Sequence, residues 1–258
     1  MRATRFLAAT LFSFALGGAT LAQAEPTDIT VRVLSKDAKF IGTSMGGMRV
    51  TLSDAETGEV LAQGLTEGGT GNTKLLMHES GDRRAPMADD SAAKFAATLD
   101  LDAPRLIEVE AYGPLGHPAS AHSASATQWV VPGRDLTGGD GWVLELPGFV
   151  VELQAPATPI VASASGEPVA LKAKVTMMCG CPITPGGLWD ADGYEVKGLL
   201  YKDGEKAGET PLAYAGETSM FAGELATPKP GRYELVVYAY DKANGNTGVA
   251  RAALVVAE

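Results

Sequence analysis

The chain has two cysteines, and they stand one residue apart in the run Met177-Met178-Cys179-Gly180-Cys181-Pro182. Thiolates and thioethers are soft ligands, so this run suits Cu(I), and the same thiols suit disulfide chemistry. Three readings follow, and the residues alone leave them open. The run holds a soft metal, copper first, with Cys179 and Cys181 as thiolates and Met177, Met178 or a loop histidine completing the shell. Alternatively, the cysteines form a local disulfide, or pack as core thiols, at a strand end. In the third reading they exchange disulfides with another protein. Zinc is disfavoured because it takes four Cys or His ligands and this spacing supplies two. The usual redox arrangement, C-x-x-C beside a βαβ pattern, is missing.

Histidine is scarce: His78, His117 and His122 are the whole set. His117 and His122 lie in Gly113 to Ala126, a stretch of small residues expected as a surface loop, from which an imidazole can close over a metal held elsewhere. Solvated histidines without a role are the competing reading. A second, weaker constellation is Asp190 and Asp192 with Asp241 and Asn246, hard oxygen donors suited to calcium. Against it, aspartate is ordinary in turns and the ordered loop of a dedicated calcium hand is absent. No G-x-S-x-G elbow, H-E-x-x-H or phosphate loop occurs, so a non-catalytic protein is expected.

The elements that must position these residues are strands. In 258 residues there are 31 glycines and 7% aromatics, and the apolar residues come in short alternating runs rather than helical stripes. That pattern predicts an all-β chain rich in turns. Arg2 and Arg5, an apolar run from Phe6 to Leu21 and Ala22-Gln23-Ala24 read as a cleaved signal peptide over residues 1–24, which points to the periplasm, with secretion to the medium second. No later apolar run approaches the roughly 18–20 residues needed to span a bilayer, so no membrane insertion is expected. Loss of Arg2 and Arg5 takes the formal net charge from −10 to −12. Such a surface repels phosphate backbones and anionic lipid, which argues against nucleic acid and leaves a protein partner as the macromolecular candidate.

Ile29, Val31 and Val33 alternate on one face of a first strand; Met48, Val50 and Leu52 repeat the pattern before the turn Asp54 to Gly58 and a return strand, Val60 to Leu65. Phe95 to Leu101 and Ile107, Val109 and Ala111 continue it. Val50-Thr-Leu-Ser-Asp-Ala-Glu-Thr-Gly58, a following strand and a glycine-rich turn resemble the transthyretin-like or carboxypeptidase-regulatory-like β-sandwich domains of bacterial secreted proteins. The resemblance covers roughly residues 28 to 112 and implies a sandwich that serves as an accessory or binding module, with no catalytic residue to transfer. The linker Gln154-Ala-Pro-Ala-Thr-Pro159 marks the boundary, giving domains 25–153 and 154–258.

Pro230-Gly-Arg-Tyr233 with Leu235, Val237 and Ala239 resembles the penultimate strand of bacterial immunoglobulin-like domains, Tyr233 standing in the tyrosine-corner position. This likeness covers nearly all of the second half and implies a second β-sandwich. On such a fold Leu171, Ala173, Val175, Met177, Cys179 and Cys181 occupy alternate positions of one strand. Residues i and i+2 of a regular strand lie roughly 6.5–7 Å apart at Cα, at or beyond the limit for a disulfide, whereas Gly180 and Pro182 signal that the strand is ending and can curl. The next loop, Pro182 to Asp192, is expected to gather Trp189, Asp190, Asp192 and Asn244 with the cysteines at one tip. Val236, Tyr238 and Tyr240 lie on the opposite face of their strand and are expected to pack on the first domain rather than face a ligand.

Overall fold

The structure, a computed structural model, describes residues 23–79, 81–155, 160–163, 168–226 and 228–257. All but the end of the segment read as a signal peptide, and linker residues 156–159, lie outside the described residues. Among the described residues the fold is all-β, and no helix is long and apolar enough to cross a membrane.

Seven strands build the first half: β1 (Glu25–Ser35), β2 (Arg49–Asp54), β3 (Val60–Leu65), β4 (Phe95–Leu101), β5 (Arg105–Gly113), β6 (His122–Val130) and β7 (Trp142–Leu146). They form two sheets, ordered β4-β1-β7 and β3-β2-β5-β6. The β1·β7 pair is parallel, Val31 opposite Trp142; the other pairs are antiparallel. The alternation legible in the sequence becomes the core: Ile29, Val31, Val33, Val50, Leu52, Ile107 and Val109 are fully buried. Each such side chain contributes about 1.5–3 kcal/mol of burial free energy. Lys74 to Met77 departs from the strand pattern. It is a short helix, Thr73–Met77, because the Asn72 side chain accepts from the backbone N–H groups of Lys74 and Leu75.

The second half contains β8 (Phe149–Ala155), β9 (Ile160–Ser163), β10 (Val169–Met177), β11 (Tyr194–Lys202), β12 (Glu205–Pro211), β13 (Ala213–Tyr214), β14 (Met220–Leu225), β15 (Gly231–Asp241) and β16 (Thr247–Ala257). Its sheets run β13-β14-β10-β8 and β12-β11-β15-β16-β9, with β9 parallel to β16. Leu171, Ala173 and Val175 of β10 and Leu235, Val237 and Ala239 of β15 are all buried in the core. The sheets approach closely at Gly198, where a Cβ would meet Leu171 Cδ1 at 2.7 Å. Tyr233 donates its hydroxyl to the carbonyl of Lys229 at 2.8 Å, the bond its corner position predicts.

The passage between the two halves differs from the expectation. Phe149–Ala155, most of which the boundary at residue 153 assigns to the first domain, pairs with β10, Phe149 opposite Met177 and Val151 opposite Val175. β7 ends at Leu146, so Pro147-Gly148 is the whole connection between the sandwiches. The residues on either side of Pro147-Gly148 are equally apolar and do not say which sheet each piece joins.

Candidate functional site

β10 stops at Met177, so Cys179 and Cys181 do not continue its inward face as expected. Instead the chain reverses. Gly180 N–H donates to the Met177 carbonyl at 2.8 Å, Met177 N–H donates to the Cys181 carbonyl at 3.1 Å, and Thr176 bridges Pro182. Gly180 has φ +80°, a left-handed conformation that glycine adopts without a steric penalty. This is the pattern of a three-residue hairpin loop closed by a glycine. It brings the two Cα atoms to 5.5 Å, inside the disulfide range, and Cys179 and Cys181 are bonded. In this state the sulfurs are not thiolates, and the soft-metal ligation read from the sequence applies only to the reduced pair.

The turn is not a free tip. Cys179 is 2% and Cys181 5% exposed, and Met177 and Met178 are fully buried. Two residues further on, Ile183 donates its N–H to Ser219 Oγ at 3.0 Å and accepts from Ser219 N–H at 2.9 Å, which fixes the exit of the turn. On one side Gly180 packs against the first sandwich, where a Cβ in its place would lie 2.5 Å from Met45 Sδ. Met45 is held there because its carbonyl accepts from Gly116 N–H at 2.8 Å. On the other side Gly148, in the connection itself, lies against both Met178 and His122. A Cβ on Gly148 would stand 3.4 Å from Met178 Sδ and 3.1 Å from His122 Cε1.

Asn246 closes this joint. Its buried amide accepts from Gly148 N–H at 2.5 Å and donates to Gly148 C=O at 3.0 Å, so both polar groups of that residue are satisfied without water. His122 directs Nδ1 at the Ser120 carbonyl, 3.2 Å away; a carbonyl only accepts, so Nδ1 is the donor in this contact. His117 goes elsewhere, to Glu152 Oε1 at 2.9 Å, and His78 is exposed. The structure thus brings His122 and Met178 together. It separates His117 from them and adds Met45, which the sequence did not single out.

No family model matches the chain, and no curated protein matches it. Among solved structures the chain is similar to the fibronectin(III)-like modules of Clostridium thermocellum CbhA at 13% identity, covering 93% of this chain and 92% of that one, with a TM-score of 0.29. It is similar to tandem immunoglobulin domains of titin at 10% identity, covering 91% and 88%, with a TM-score of 0.20. An engineered protein matches at 16% identity and a TM-score of 0.33 over 50% of this chain, which spans 24% of that protein's length. No activity is carried across at these values.

The acidic residues expected to gather for calcium serve the turns. Asp190 Oδ1 accepts from Gly186 and Asp192 N–H groups, and Asp241 Oδ1 accepts from Ala243 N–H. Among the described residues no group of three or more His, Cys, Asp or Glu is placed to hold a metal ion. Trp189 and Asn244 do meet, on the first sandwich rather than at a solvent-facing tip: Trp189 Nε1 donates to the Asp37 carbonyl at 2.9 Å and Asn244 Nδ2 to Asp37 Oδ2 at 3.4 Å. Partial burial, then the charges of Asp241 and Glu145, hold the Asp37 carboxyl above its usual range.

Of the face expected to pack on the first domain, Val236 is buried, Tyr238 is half-buried and Tyr240 is exposed. There Tyr238 donates to Glu195 Oε1 at 2.5 Å, and partial burial, then that carboxylate, pushes its hydroxyl up to about 12. An open groove of about 590 Å³ runs along the outer face of β8 and β10, past Glu152, Lys172, Lys174 and Thr176, and ends at Gly180 and Pro182 of the cysteine turn.

Proposed function

We propose that this protein is a non-catalytic accessory module of the periplasm, or of the secreted fraction, that holds two β-sandwiches in one relative orientation for a protein partner. The first sandwich is of transthyretin-like and the second of immunoglobulin-like type, on the residues that carry those resemblances. In this reading Cys179–Cys181 is a structural cross-link that fixes the turn on which the first sandwich rests. One observation carries it: the two cysteines are bonded and nearly solvent-free, in a turn packed on Met45 of the other half. A centre that exchanges disulfides with a partner needs a sulfur that a partner's thiolate can reach, and these sulfurs are covered.

The test is alkylation of the protein isolated from an oxidising compartment, under denaturing conditions without reductant. The expected result is no labelled cysteine before reduction and two after it. The double change Cys179→Ser/Cys181→Ser should lower stability by about 1–2 kcal/mol, the loop-closure term for so short a ring. Labelling of both cysteines as isolated would overturn the reading.

A further inference from the structure

Among the described residues β6 is the longest strand at a sheet edge, paired with β5 on one side and reached by no hydrogen bond on the other. In an edge strand every second residue turns its N–H and C=O outward, a template for another chain. Other edges here are guarded. β12 carries Lys206 and a register shift and ends at Pro211, and the Val151 N–H of β8 donates to Ser120 Oγ at 3.3 Å. His122-Ser-Ala-Ser-Ala-Thr-Gln-Trp-Val130 has no lysine, carboxylate or proline, and its pairing with β5 runs without a shift. We propose that this edge takes up, as an added strand, an extended segment of a partner protein in which lysine or arginine alternates with small apolar residues. The proposal rests on the reading of the protein as a binding module for a protein partner and names that partner's chemistry.

Charge selects the occupant. Ser123, Ser125, Thr127 and Trp129 are exposed on the outer face, and Glu110 and Glu108 of β5 stand directly opposite Ser125 and Thr127. Ser123 Oγ donates to Glu110 Oε1 at 3.2 Å, and neither carboxylate has a cationic partner among the described residues. An added strand would lie about 10 Å from β5, two strand spacings away. Long basic side chains on its outer face can cross the small Ser125 and Thr127 to reach Glu110 and Glu108. The next basic residue along stacks on Trp129, which is 60% exposed. On the other face the half-buried Ala124 and Ala126 present a small apolar surface.

Space is available beside the edge. An open cleft of about 290 Å³ is lined by Gln128 of β6, Trp142 and Val143 of β7, and Asp135, a further carboxylate. A second copy of this chain fits the edge poorly. The chain has a formal net charge of −10, and β6 supplies no lysine or arginine to another copy's Glu108 and Glu110.

The experiment titrates the full chain with fluorescent synthetic peptides of nine residues, the length of β6. One alternates lysine and valine, one has the same composition with its lysines in a block, and one is the alternating peptide N-methylated along its backbone. The alternating peptide should bind about tenfold or more tightly than either control, because a block cannot put its charges on one face of a strand and N-methylation removes the ladder donors. Residue-resolved hydrogen exchange should show protection gained at every second amide of β6. Glu108→Gln/Glu110→Gln should weaken binding about tenfold and Trp129→Ala about fivefold, and none of the three residues is in the core. No binding of the alternating peptide, equal binding of either control, or protection confined to other strands would overturn strand addition at this edge. Binding insensitive to Glu108, Glu110 and Trp129 would overturn the basic partner. Self-association that protects β6 in the protein alone would overturn it too, making a second copy the occupant. Each outcome is read independently of the cysteine labelling, so failure of the edge and failure of the structural cross-link are told apart.

Discussion

Asn246, Gly148 and Gly180 carry more of this structure than their size suggests. The Asn246 amide satisfies both backbone groups of Gly148 inside the joint. Asn246→Ala therefore leaves a buried N–H and C=O without partners and should cost about 2–4 kcal/mol, measured by denaturant unfolding. Gly180→Ala should cost about 1–3 kcal/mol in the same measurement, because a left-handed alanine is strained and its Cβ meets the Met45 sulfur. Asp37 offers a change of the opposite sign. Its folded carboxyl is raised above the unfolded value, so between the two the folded state binds more protons, and stability falls as pH rises through that window. Asp37→Asn removes the charge, tolerates the residue's φ of +53°, and should make the protein more stable at pH 7 while flattening that part of the pH profile. At this scale the sequence marked Cys179, Cys181, Met178 and His122 by type. It gave no sign of Met45, whose sulfur reaches Gly180 only because two distant loops dock.

At the scale of elements, periodicity located most strands, since one face of each is buried and the period of two is strict. It failed where two apolar patterns run into each other. Met177, Cys179 and Cys181 keep the spacing of Leu171 to Val175, so the run reads as one strand, yet Gly180 turns the chain and both cysteines are buried by a different route. The same difficulty hid the change of sheet at Pro147-Gly148. Sequence signals with a mechanism held better. Tyr233 makes its corner bond as the Pro-Gly-x-Tyr pattern implied, and Tyr233→Phe should cost about 1 kcal/mol without altering the fold, read by thermal or denaturant unfolding.

For the whole molecule the consequence is a pair of sandwiches that share a joint instead of swinging on a linker. Two residues connect them, Asn246 clamps the connection, and Trp189 and Asn244 of the second half bond to Asp37 of the first. None of these contacts was legible in the chain, because each depends on how folded halves meet rather than on local pattern. The direct test is a distance measurement between spin labels on Ser125→Cys in the first sandwich and Glu234→Cys in the second, both exposed strand positions, with the native pair bonded and therefore unlabelled. A single narrow distance distribution that broadens in the Asn246→Ala background is the predicted result. A broad distribution in the otherwise native protein would contradict the fixed joint on which this account of the cysteine turn depends.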